Sequence, residues 1–330
     1  HLFTGNLLVG EMRFMSEPKH LVTLSDHKYL VYGLTLYDSL EQHDDYKDSF
    51  VLHYLCTSQE AYDKLCSLQL PNIKPYNIKD LETDEDFIRL KKNQQSNTTS
   101  GYDGNNHFHW ALASFFSYYL MDNYDLPHVV YIDSDIMFYN PVDRVLDAMQ
   151  DKSIGIITHK HMALQKSNKN VGYYNVGVIV FKNTEVGKSC LKFWRDCCIN
   201  TDNAYAKGFG TCGDQKYLEL FDDLFDEREI KVLCHDVGNL APWNLHMCKL
   251  LGNNEMMWYD HKGFVLQPEE SKLQSIIFMH FSHFNPNFDN KSFALDRGGE
   301  WGPIAKYENV IGLYEEYYIS CAATKRKYEV

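Results

Sequence analysis

Two aspartates one residue apart stand out in the stretch VVYIDSDIMFYN, residues 129–140. Asp133 and Asp135 follow an apolar run, and in an extended chain residues i and i+2 point to the same side, so both carboxylates converge. Two carboxylates at close range repel each other unless a cation lies between them. The pattern fits a divalent-metal site at the end of a buried strand, where open α/β sheets bind ligands. It also fits a simple turn, because Asp and Ser are common turn residues.

Other polar residues follow predicted strands in the same way: Ser25, Asp26, Asn175, Asp214, Gln215, Asn244, His280 and His283. Each has an ordinary structural explanation when it is taken singly. Asp26 can cap a helix, Asp214 and Gln215 can serve the first turn of another, and His280 can be a core histidine. Their fixed order along the chain favours one shared site.

The hydrophobic pattern predicts the elements that would position these residues. Predicted strands cover 20–25, 49–56, 73–78, 128–132, 153–159, 174–181, 230–235 and 274–284, and predicted helices cover 26–43, 60–68, 108–124, 187–200 and 212–225. The first five elements alternate as βαβαβ, which implies a parallel sheet with right-handed crossovers. The sequence therefore predicts an α/β fold: a mostly parallel central sheet flanked by helices, with a less regular C-terminal part. The polar stretch 80–106 is predicted to be a mobile loop.

Composition excludes some classes of function and of location. The chain has 330 residues with 32 basic and 45 acidic side chains, a net charge of -13, which argues against a nucleic-acid partner. Its nine scattered cysteines lack C-x-x-C spacing and suit reduced thiols, so a cytoplasmic location is expected. No stretch reaches the roughly 18 to 20 apolar residues of a membrane span. The basic segment TKRKY, residues 324–328, is expected to make at most a weak peripheral membrane contact.

Six motifs in order carry a resemblance to a known family: LSDHKYLVYGLTLYDSL, VVYIDSDIMFYNPV, YYNVGVIVFKN, GDQKYLELF, APWNLH and FMHFSHF. Over roughly residues 21–284 the chain resembles GT-A-fold glycosyltransferases, above all the glycosyltransferase family 8-like group of nucleotide-diphospho-sugar transferases. The resemblance implies a Rossmann-like nucleotide-sugar domain, a divalent metal and sugar transfer to an acceptor. It implies one domain over 1–330, with a nucleotide-binding half (20–160), a sugar and acceptor half (161–290) and a C-terminal extension (291–330).

The resemblance assigns the nucleobase pocket to the end of the first strand and the start of the following helix. It would comprise Thr23, Leu24, Asp26 and Tyr29. A tyrosine ring can stack on a pyrimidine, and a carboxylate can accept its imide N–H. Spacing alone fits Tyr29 equally well as a core aromatic on the helix face.

The resemblance also assigns the metal ligands. Asp133 would contact the ribose or the metal, with Ser134 beside it at the donor, and Asp135 would be a ligand. The late strand would supply His280 as a third ligand, with His283 the weaker candidate. An imidazole ligand favours Mn²⁺ over Mg²⁺, which prefers an all-oxygen shell.

On the sugar side, the resemblance places Asn175 in the sugar or acceptor pocket, with Asp214 and Gln215 beside the reacting carbon. Asp214 is expected to anchor a hydroxyl and Gln215 to offer a carbonyl dipole beneath the ring. Trp243 and Asn244 would shape the same side. Loss of the nucleoside diphosphate builds negative charge on its β-phosphate, and a metal at the diphosphate offsets that charge.

The chain departs from the family at the late His-x-x-Gly-x-x-Lys motif, which reads HFSHFNP and lacks both the glycine and the lysine. Arg89, Lys91 and Lys92 are candidates to replace the missing phosphate-binding lysine. Retention of the anomeric configuration is favoured, whereas an inverting reaction would need a base such as Asp214 or Asp236.

These features favour a metal-dependent glycosyltransferase that moves a sugar from a nucleoside diphosphate, with UDP preferred, to a glycan, lipid-linked or protein acceptor. The segment 89–106 is expected to close over the donor and exclude water. A phosphotransferase would need its aspartates after the first strand, and a sugar nucleotidyltransferase would need a Gly-rich basic loop there. An inactive carbohydrate-binding protein on the same fold is disfavoured because Asp133, Asp135 and His280 are all present.

Overall fold

The computed structural model of the protein describes residues 17–44, 49–96, 103–159, 172–201, 214–233, 237–252, 254–258, 273–295 and 309–330. The strands are β1 Lys19–Ser25, β2 Phe50–Cys56, β3 Ile73–Asn77, β4 His128–Ile132, β5 Ile136–Phe138, β6 Ile154–Thr158, β7 Tyr174–Lys182, β8 Ile230–Val232, β9 Gly238–Leu240, β10 Cys248–Gly252, β11 Glu255–Trp258, β12 Gln274–His280, β13 Asn285–Asn287 and β14 Ser292–Ala294. The helices are α1 Leu30–Gln42, α2 Gln59–Leu68, α3 Glu85–Gln95, α4 Gly104–Tyr124, α5 Asp143–Met149, α6 Glu185–Ile199, α7 Phe221–Leu224 and α8 Val310–Tyr328.

Seven of the described strands form the central sheet, in the order β3-β2-β1-β4-β7-β6-β8. β1 pairs in parallel with β2 and β4, β2 pairs in parallel with β3, and β6 pairs in parallel with β8. Only β7 runs against its two neighbours, β4 and β6. The predicted α/β fold with a mostly parallel sheet is confirmed, and the carboxyl ends of β1 and β4 meet at one edge.

Helices cover both faces of this sheet, because each face presents a continuous apolar surface. α3, α4 and α6 pack on one face with Phe108, Phe116 and Trp194 in the core. α1, α2 and α5 pack on the other face around Leu34 and Leu65. The described helices include none that combines the length and apolar character needed to cross a membrane.

A second sheet contains β10, β11, β12 and β5 in that order, with β9 parallel to β12. β5 and β12 are antiparallel, and Met279 lies opposite Met137 while His280 lies opposite Ile136. This pairing brings the late strand to the segment that follows Asp135. The sequence did not predict it, because a three-residue strand such as β5 carries no periodic signal.

The C-terminal helix α8 packs against α1 and the second sheet. The ring of Tyr317 stacks on Phe281 with centroids 3.8 Å apart and planes 9° apart, and Tyr314 meets Phe281 edge to face at 5.2 Å. The sequence predicted a less regular C-terminal part and missed this 19-residue helix.

The predicted mobile loop over 80–106 is wrong for most of its length. Residues 85–95 form helix α3, whose first turn is capped because the Asp84 carboxylate accepts the N–H groups of Asp86 and Phe87. Phe87 and Leu90 are fully buried. The sequence pattern did not reveal this helix, because most of its residues are polar and only one narrow face is buried. The segment 97–102 lies outside the described residues.

The helix predicted over 212–225 is tighter than expected in its described part, and it ends at Leu224. The described part is a 3₁₀ segment, Gln215–Leu220, followed by the single turn of α7. Tyr217 of the 3₁₀ segment and Phe221 of α7 are buried against β7 and α6.

Candidate active site

The segment after β4 is a turn, and the turn presents the two aspartates. The Asp133 N–H donates to the Gly177 carbonyl of β7 at 2.9 Å, and the Asp133 carbonyl accepts the Ile136 N–H at 3.2 Å. The chain then enters β5, and the Asp135 carbonyl accepts the Phe281 N–H of the segment after β12 at 2.9 Å. The turn interpretation is therefore correct, and a turn of this kind does not exclude the ligand interpretation.

Asp133, Asp135 and His280 lie together, as predicted for the metal ligands. His280 Nε2 lies 3.0 Å from Asp135 Oδ1 and 3.7 Å from Asp133 Oδ2. One ligand atom from each of the three residues lies within 4.8 Å of those of the other two. The Asp133 and Asp135 side chains are 31% and 20% exposed and His280 only 9%, so the carboxylates are the accessible part.

The electrostatics of the group reflect burial and mutual attraction. Burial raises the pKa of Asp133, although the nearby His280 ring opposes that change. Burial also works against the charge of Asp135, but the His280 ring and its hydrogen bond outweigh it and lower the pKa of Asp135. Burial would lower the pKa of His280, and the two carboxylates together raise it. The imidazole of His280 therefore offsets part of the repulsion between the two carboxylates.

Two neighbours hold the group in place. The Tyr131 hydroxyl donates to Asp133 Oδ1 at 2.9 Å, which leaves Oδ2 on the side of His280. Gly177 passes so close that a Cβ there would lie 2.7 Å from His280 Nδ1 and 2.6 Å from Asn175 Oδ1. Only a glycine at position 177 leaves the imidazole this position.

The donor set fits a divalent cation. Two carboxylates and one imidazole, with ligand atoms within 4.8 Å of one another, are a donor set that would suit Mn²⁺ and related metals. Among the described residues His283 is outside the group: it lies in the turn after β12, and its charge contributes to the lowered pKa of Asp135.

Asn175 and Gln215 are joined directly, as their shared assignment to the sugar side suggests. Asn175 Nδ2 donates to Gln215 Oε1 at 2.9 Å, and the Val176 N–H also faces that oxygen at 3.3 Å. Asn175 Oδ1 accepts the Gly177 N–H at 2.9 Å, and Asn175 Nδ2 lies 3.3 Å from His159 Nε2. The polar side of the site is thus tied to the backbone of β7.

Asp214 is almost completely buried directly before the 3₁₀ segment. Its carbonyl accepts the indole N–H of Trp194 at 2.9 Å, and its Oδ2 has no hydrogen-bond partner among the described residues. Burial, and then the charge of Asp133, raise the pKa of Asp214. A neutral acid of this kind can donate a hydrogen bond to a hydroxyl.

Trp243 packs edge to face against both His280 and His159, with ring centroids 5.2 Å apart in each pair. Asn244 is fully buried, and its amide is used within its own turn: Oδ1 accepts the Ala241 N–H and Nδ2 donates to the Asn239 carbonyl. Trp243 therefore contacts both histidine rings, and Asn244 stabilises the turn that contains Trp243.

The four residues predicted for the nucleobase pocket lie at the end of β1, beside the end of β4. Asp26 Oδ1 accepts the N–H groups of Lys28 and Tyr29, so it organises the turn that precedes α1, while the N-cap of the helix is Tyr29. Tyr29 is 37% exposed, which is incompatible with a core aromatic. Leu24 is half-buried, and Thr23 is fully buried inside the strand.

The remaining candidates differ in their positions. Ser134 is buried in the turn between the aspartates. Arg89 and Lys91 of α3 form surface ion pairs with Asp86 and Glu82, and Lys92 lies on the same helix. Asp236 lies outside the described residues.

Sequence reasoning missed two contributors to the site, His159 and Tyr131. His159 directly follows β6, so the rule that polar residues at strand ends mark a site would have found it. Tyr131 precedes the aspartates at a spacing of two, which puts alternate side chains on one face of an extended chain. It was overlooked because a tyrosine within a strand is usually interpreted as a core residue.

Comparison with known proteins gives a consistent result. The sequence pattern of Glycosyl transferase family 8 matches residues 20–226. The uncharacterized proteins YfnF and YfnD of Bacillus subtilis (strain 168) are 25% and 22% identical to this chain. The YfnF match covers 77% of this chain and 78% of YfnF, and the YfnD match covers 76% and 79%.

The crystal structure of mouse xyloside xylosyltransferase 1 in its apo form is similar in fold. Its TM-score is 0.52 at 15% sequence identity, and the match covers 81% of this chain and 98% of that one. The architecture is the GT-A fold, as the sequence motifs implied.

Proposed function

Because this chain belongs to glycosyl transferase family 8 and is a glycosyltransferase, we propose that it is metal-dependent and uses a UDP-sugar as donor. The acceptor is a glycan, a lipid-linked sugar or a protein. The observation that carries the proposal is the Asp133–Asp135–His280 group at the edge of the sheet, with Asp26 and Tyr29 at the end of the neighbouring strand.

Asp133, Asp135 and His280 would hold Mn²⁺, with Mg²⁺ as the alternative. When bound, the ion offsets the negative charge that the departing diphosphate gains. Tyr131 and Gly177 keep the ligand side chains in position by the contacts described above. Trp243 closes one side of His280 and limits the access of water to it.

On the base side, Tyr29 would stack on the uracil ring, and Asp26 would accept its imide N–H. Asp26 uses Oδ1 for the two backbone N–H groups that follow it, so Oδ2 is the oxygen for the ligand. The ring of Tyr29 is accessible, as stacking requires. Leu24 would form the floor, the buried Thr23 would support it from within the strand, and Ser134 would face the ribose.

On the sugar side, Asn175, Asp214 and Gln215 would surround the reacting carbon, with Trp243 and Asn244 shaping the pocket. Asp214 would donate a hydrogen bond to a sugar hydroxyl, in keeping with its raised pKa. A neutral Asp214 is a poor general base, which supports retention over inversion. The proposed division keeps 20–160 for the nucleotide, 161–290 for sugar and acceptor, and 291–330 as an extension.

Calorimetric titration of UDP, with and without Mn²⁺, tests the proposal. We expect UDP to bind with Mn²⁺ and not without it, and GDP to bind more weakly. Asp135→Asn should weaken binding by at least about 100-fold, since removing even an outer-sphere partner of a metal ligand costs 10- to 100-fold. Asp289→Asn, at an exposed position away from the group, is the matched control. Absence of UDP binding by the wild type under every metal condition would contradict the proposal.

A further inference from the structure

The hydrogen bonds around Asn175 can be assigned without ambiguity, because two of them involve backbone N–H groups. A backbone N–H can only donate, so the atoms that face Gly177 N and Val176 N must be oxygens. Those atoms are Asn175 Oδ1 at 2.9 Å and Gln215 Oε1 at 3.3 Å. The NH₂ group of Asn175 must then point to Gln215 Oε1 at 2.9 Å and to His159 Nε2 at 3.3 Å.

This assignment fixes the protonation of His159. Its Nε2 faces a donor and must be the bare, accepting nitrogen, so the ring proton lies on Nδ1. Nδ1 lies 3.3 Å from the carbonyl of Tyr173, which also accepts the His159 N–H at 3.0 Å. The ring is 2% exposed and Trp243 packs edge to face against it, so the orientation of the imidazole is confined.

The result is a relay of hydrogen bonds from the end of β6, across β7, to the start of the 3₁₀ segment. Both acceptor positions of Gln215 Oε1 are then used by protein donors, Asn175 Nδ2 and Val176 N. Oε1 is therefore a structural acceptor that fixes the amide in one orientation. An Oε1 turned toward the sugar would have to give up both hydrogen bonds.

We propose that His159 is a positioning residue for the transfer reaction. As the Nδ1–H tautomer it holds the amide of Asn175, and Asn175 holds Gln215 in the single orientation that the reaction uses. This inference rests on the proposed function, because it takes Gln215 to lie beside the reacting carbon. The effect should appear in turnover and leave metal and UDP binding unchanged, since His159 acts through Asn175 and is not part of the Asp133–Asp135–His280 group.

The first test is a ¹⁵N NMR spectrum of the histidine-labelled protein at pH 7.5, with His159 assigned from the His159→Gln variant. The spectrum should show His159 with a protonated Nδ1 and a bare Nε2. A proton on Nε2 would overturn the relay. This measurement requires neither a donor nor a metal.

The second test compares three variants. His159→Phe keeps a ring and removes the acceptor, and His159→Gln returns an acceptor oxygen near the position of Nε2. His53→Phe removes a buried histidine on β2, near the opposite edge of the central sheet from β6, and serves as the control. Hydrolysis of UDP-galactose, UDP-glucose, UDP-xylose and UDP-N-acetylglucosamine is measured, together with Mn²⁺-dependent UDP affinity.

His159→Phe should lower kcat by about 100-fold, the typical cost of a displaced catalytic group. UDP affinity should stay within about 3-fold, and His159→Gln should recover most of kcat, because outer hydrogen bonds are replaceable in part. Wild-type turnover in His159→Phe would overturn the positioning role and leave the proposed function intact. Failure of the wild type to bind UDP would instead contradict the proposed function, and the NMR result would still decide the relay.

Discussion

At the scale of single residues, Asp133 has two distinct oxygens. Oδ1 receives the Tyr131 hydroxyl and Oδ2 faces His280. Burial raises the pKa of Tyr131, so its hydroxyl remains a donor. A carboxylate held in this way presents one chosen oxygen to a cation, which lowers the cost of ordering the ligand on binding.

We expect Tyr131→Phe to lower the affinity for Mn²⁺ by about 10-fold, because an outer hydrogen bond orients a metal ligand. Mn²⁺ titration calorimetry measures the change. Tyr328→Phe is a matched control, since it also removes a hydroxyl that donates to a carboxylate, that of Asp38 at 2.6 Å. Equal Mn²⁺ affinity in wild type and Tyr131→Phe would disprove the orienting role.

Gly177→Ala should also disturb the Asp133–Asp135–His280 group, in this case by displacing His280. A methyl group at this position would lie within 2.7 Å of both Asn175 Oδ1 and His280 Nδ1, so both side chains must move. We expect Mn²⁺ affinity to fall by at least about 10-fold. In contrast, a Cβ at Gly312 meets nothing within 4 Å. Gly312→Ala should keep Mn²⁺ affinity and stabilise the protein by roughly 0.5–1 kcal/mol, because it restricts the unfolded chain.

The residues of the site were predictable to different degrees. Asp133, Asp135 and His280 follow from the strand-end pattern and from the family resemblance. His159 was equally visible as a strand-end residue, but no motif drew attention to it. Tyr131 and Gly177 act through close contacts across strands, and a one-dimensional sequence carries no record of which atoms will lie within 3 Å.

At the scale of elements, the pairing of β5 with β12 decides whether the site exists. The turn with the two aspartates follows β4. β12 pairs antiparallel with β5, a strand of only three residues, and this pairing brings His280 to the turn. The first three strands and the helix α2 were predicted to within one residue at each end, whereas α1 begins at Leu30, four residues later than predicted. α3 was mistaken for a loop, because only Phe87, Leu90 and Gln94 of its residues are buried.

Helix α8 should stabilise this second sheet through Tyr317, which stacks on the residue next to His280. Tyr317→Ala is expected to reduce the free energy of unfolding by about 3 kcal/mol, the usual cost of truncating a buried aromatic ring. Urea denaturation measures the loss. Ile319 is 63% exposed on the same helix. Ile319→Ala should change stability by less than about 0.5 kcal/mol. A similar effect of both substitutions would contradict the role given to the stack.

At the scale of the whole molecule, the sheet has two chemically different ends. His20 and His128 lie at the start of β1 and β4, away from the aspartates that follow β4, and His53 lies in the middle of β2 beside His20. His20 Nδ1 lies 3.0 Å from His53 Nε2, and His128 Nε2 accepts the His20 N–H at 3.2 Å. Burial lowers the pKa of His53 to about 3 and that of His128 to about 4, with the His20 charge adding to both shifts.

These pKa values make stability depend on pH below neutrality. The unfolded chain takes up protons on histidine near pH 6.5, whereas the folded protein keeps these two rings neutral until about pH 4 and about pH 3. The unfolded state therefore binds more protons in this window, and stability falls as the pH falls. Between pH 7 and pH 5 each buried histidine should remove about 2 kcal/mol from the free energy of unfolding.

His128→Gln retains an acceptor for the His20 N–H and cannot titrate. We expect it to reduce the loss of stability between pH 7 and pH 5 by about 2 kcal/mol. Urea denaturation at both pH values measures the difference. His27→Gln, at an exposed histidine, should leave the wild-type dependence in place. An unchanged pH dependence in His128→Gln would show that His128 is not the group responsible.

The position of β12 has a consequence for the order of events during synthesis. His280 follows Asp135 by 145 positions (280 minus 135), and its strand must pair with β5 before the three side chains can meet. Contacts between distant parts of a chain form late in folding, because closing a long loop costs entropy first. A nascent or truncated chain that ends before β12 can build the strands of the central sheet and still lack the third metal ligand. The proposed metal site could then be assembled only after synthesis has passed β12, and shorter chains would not consume the donor.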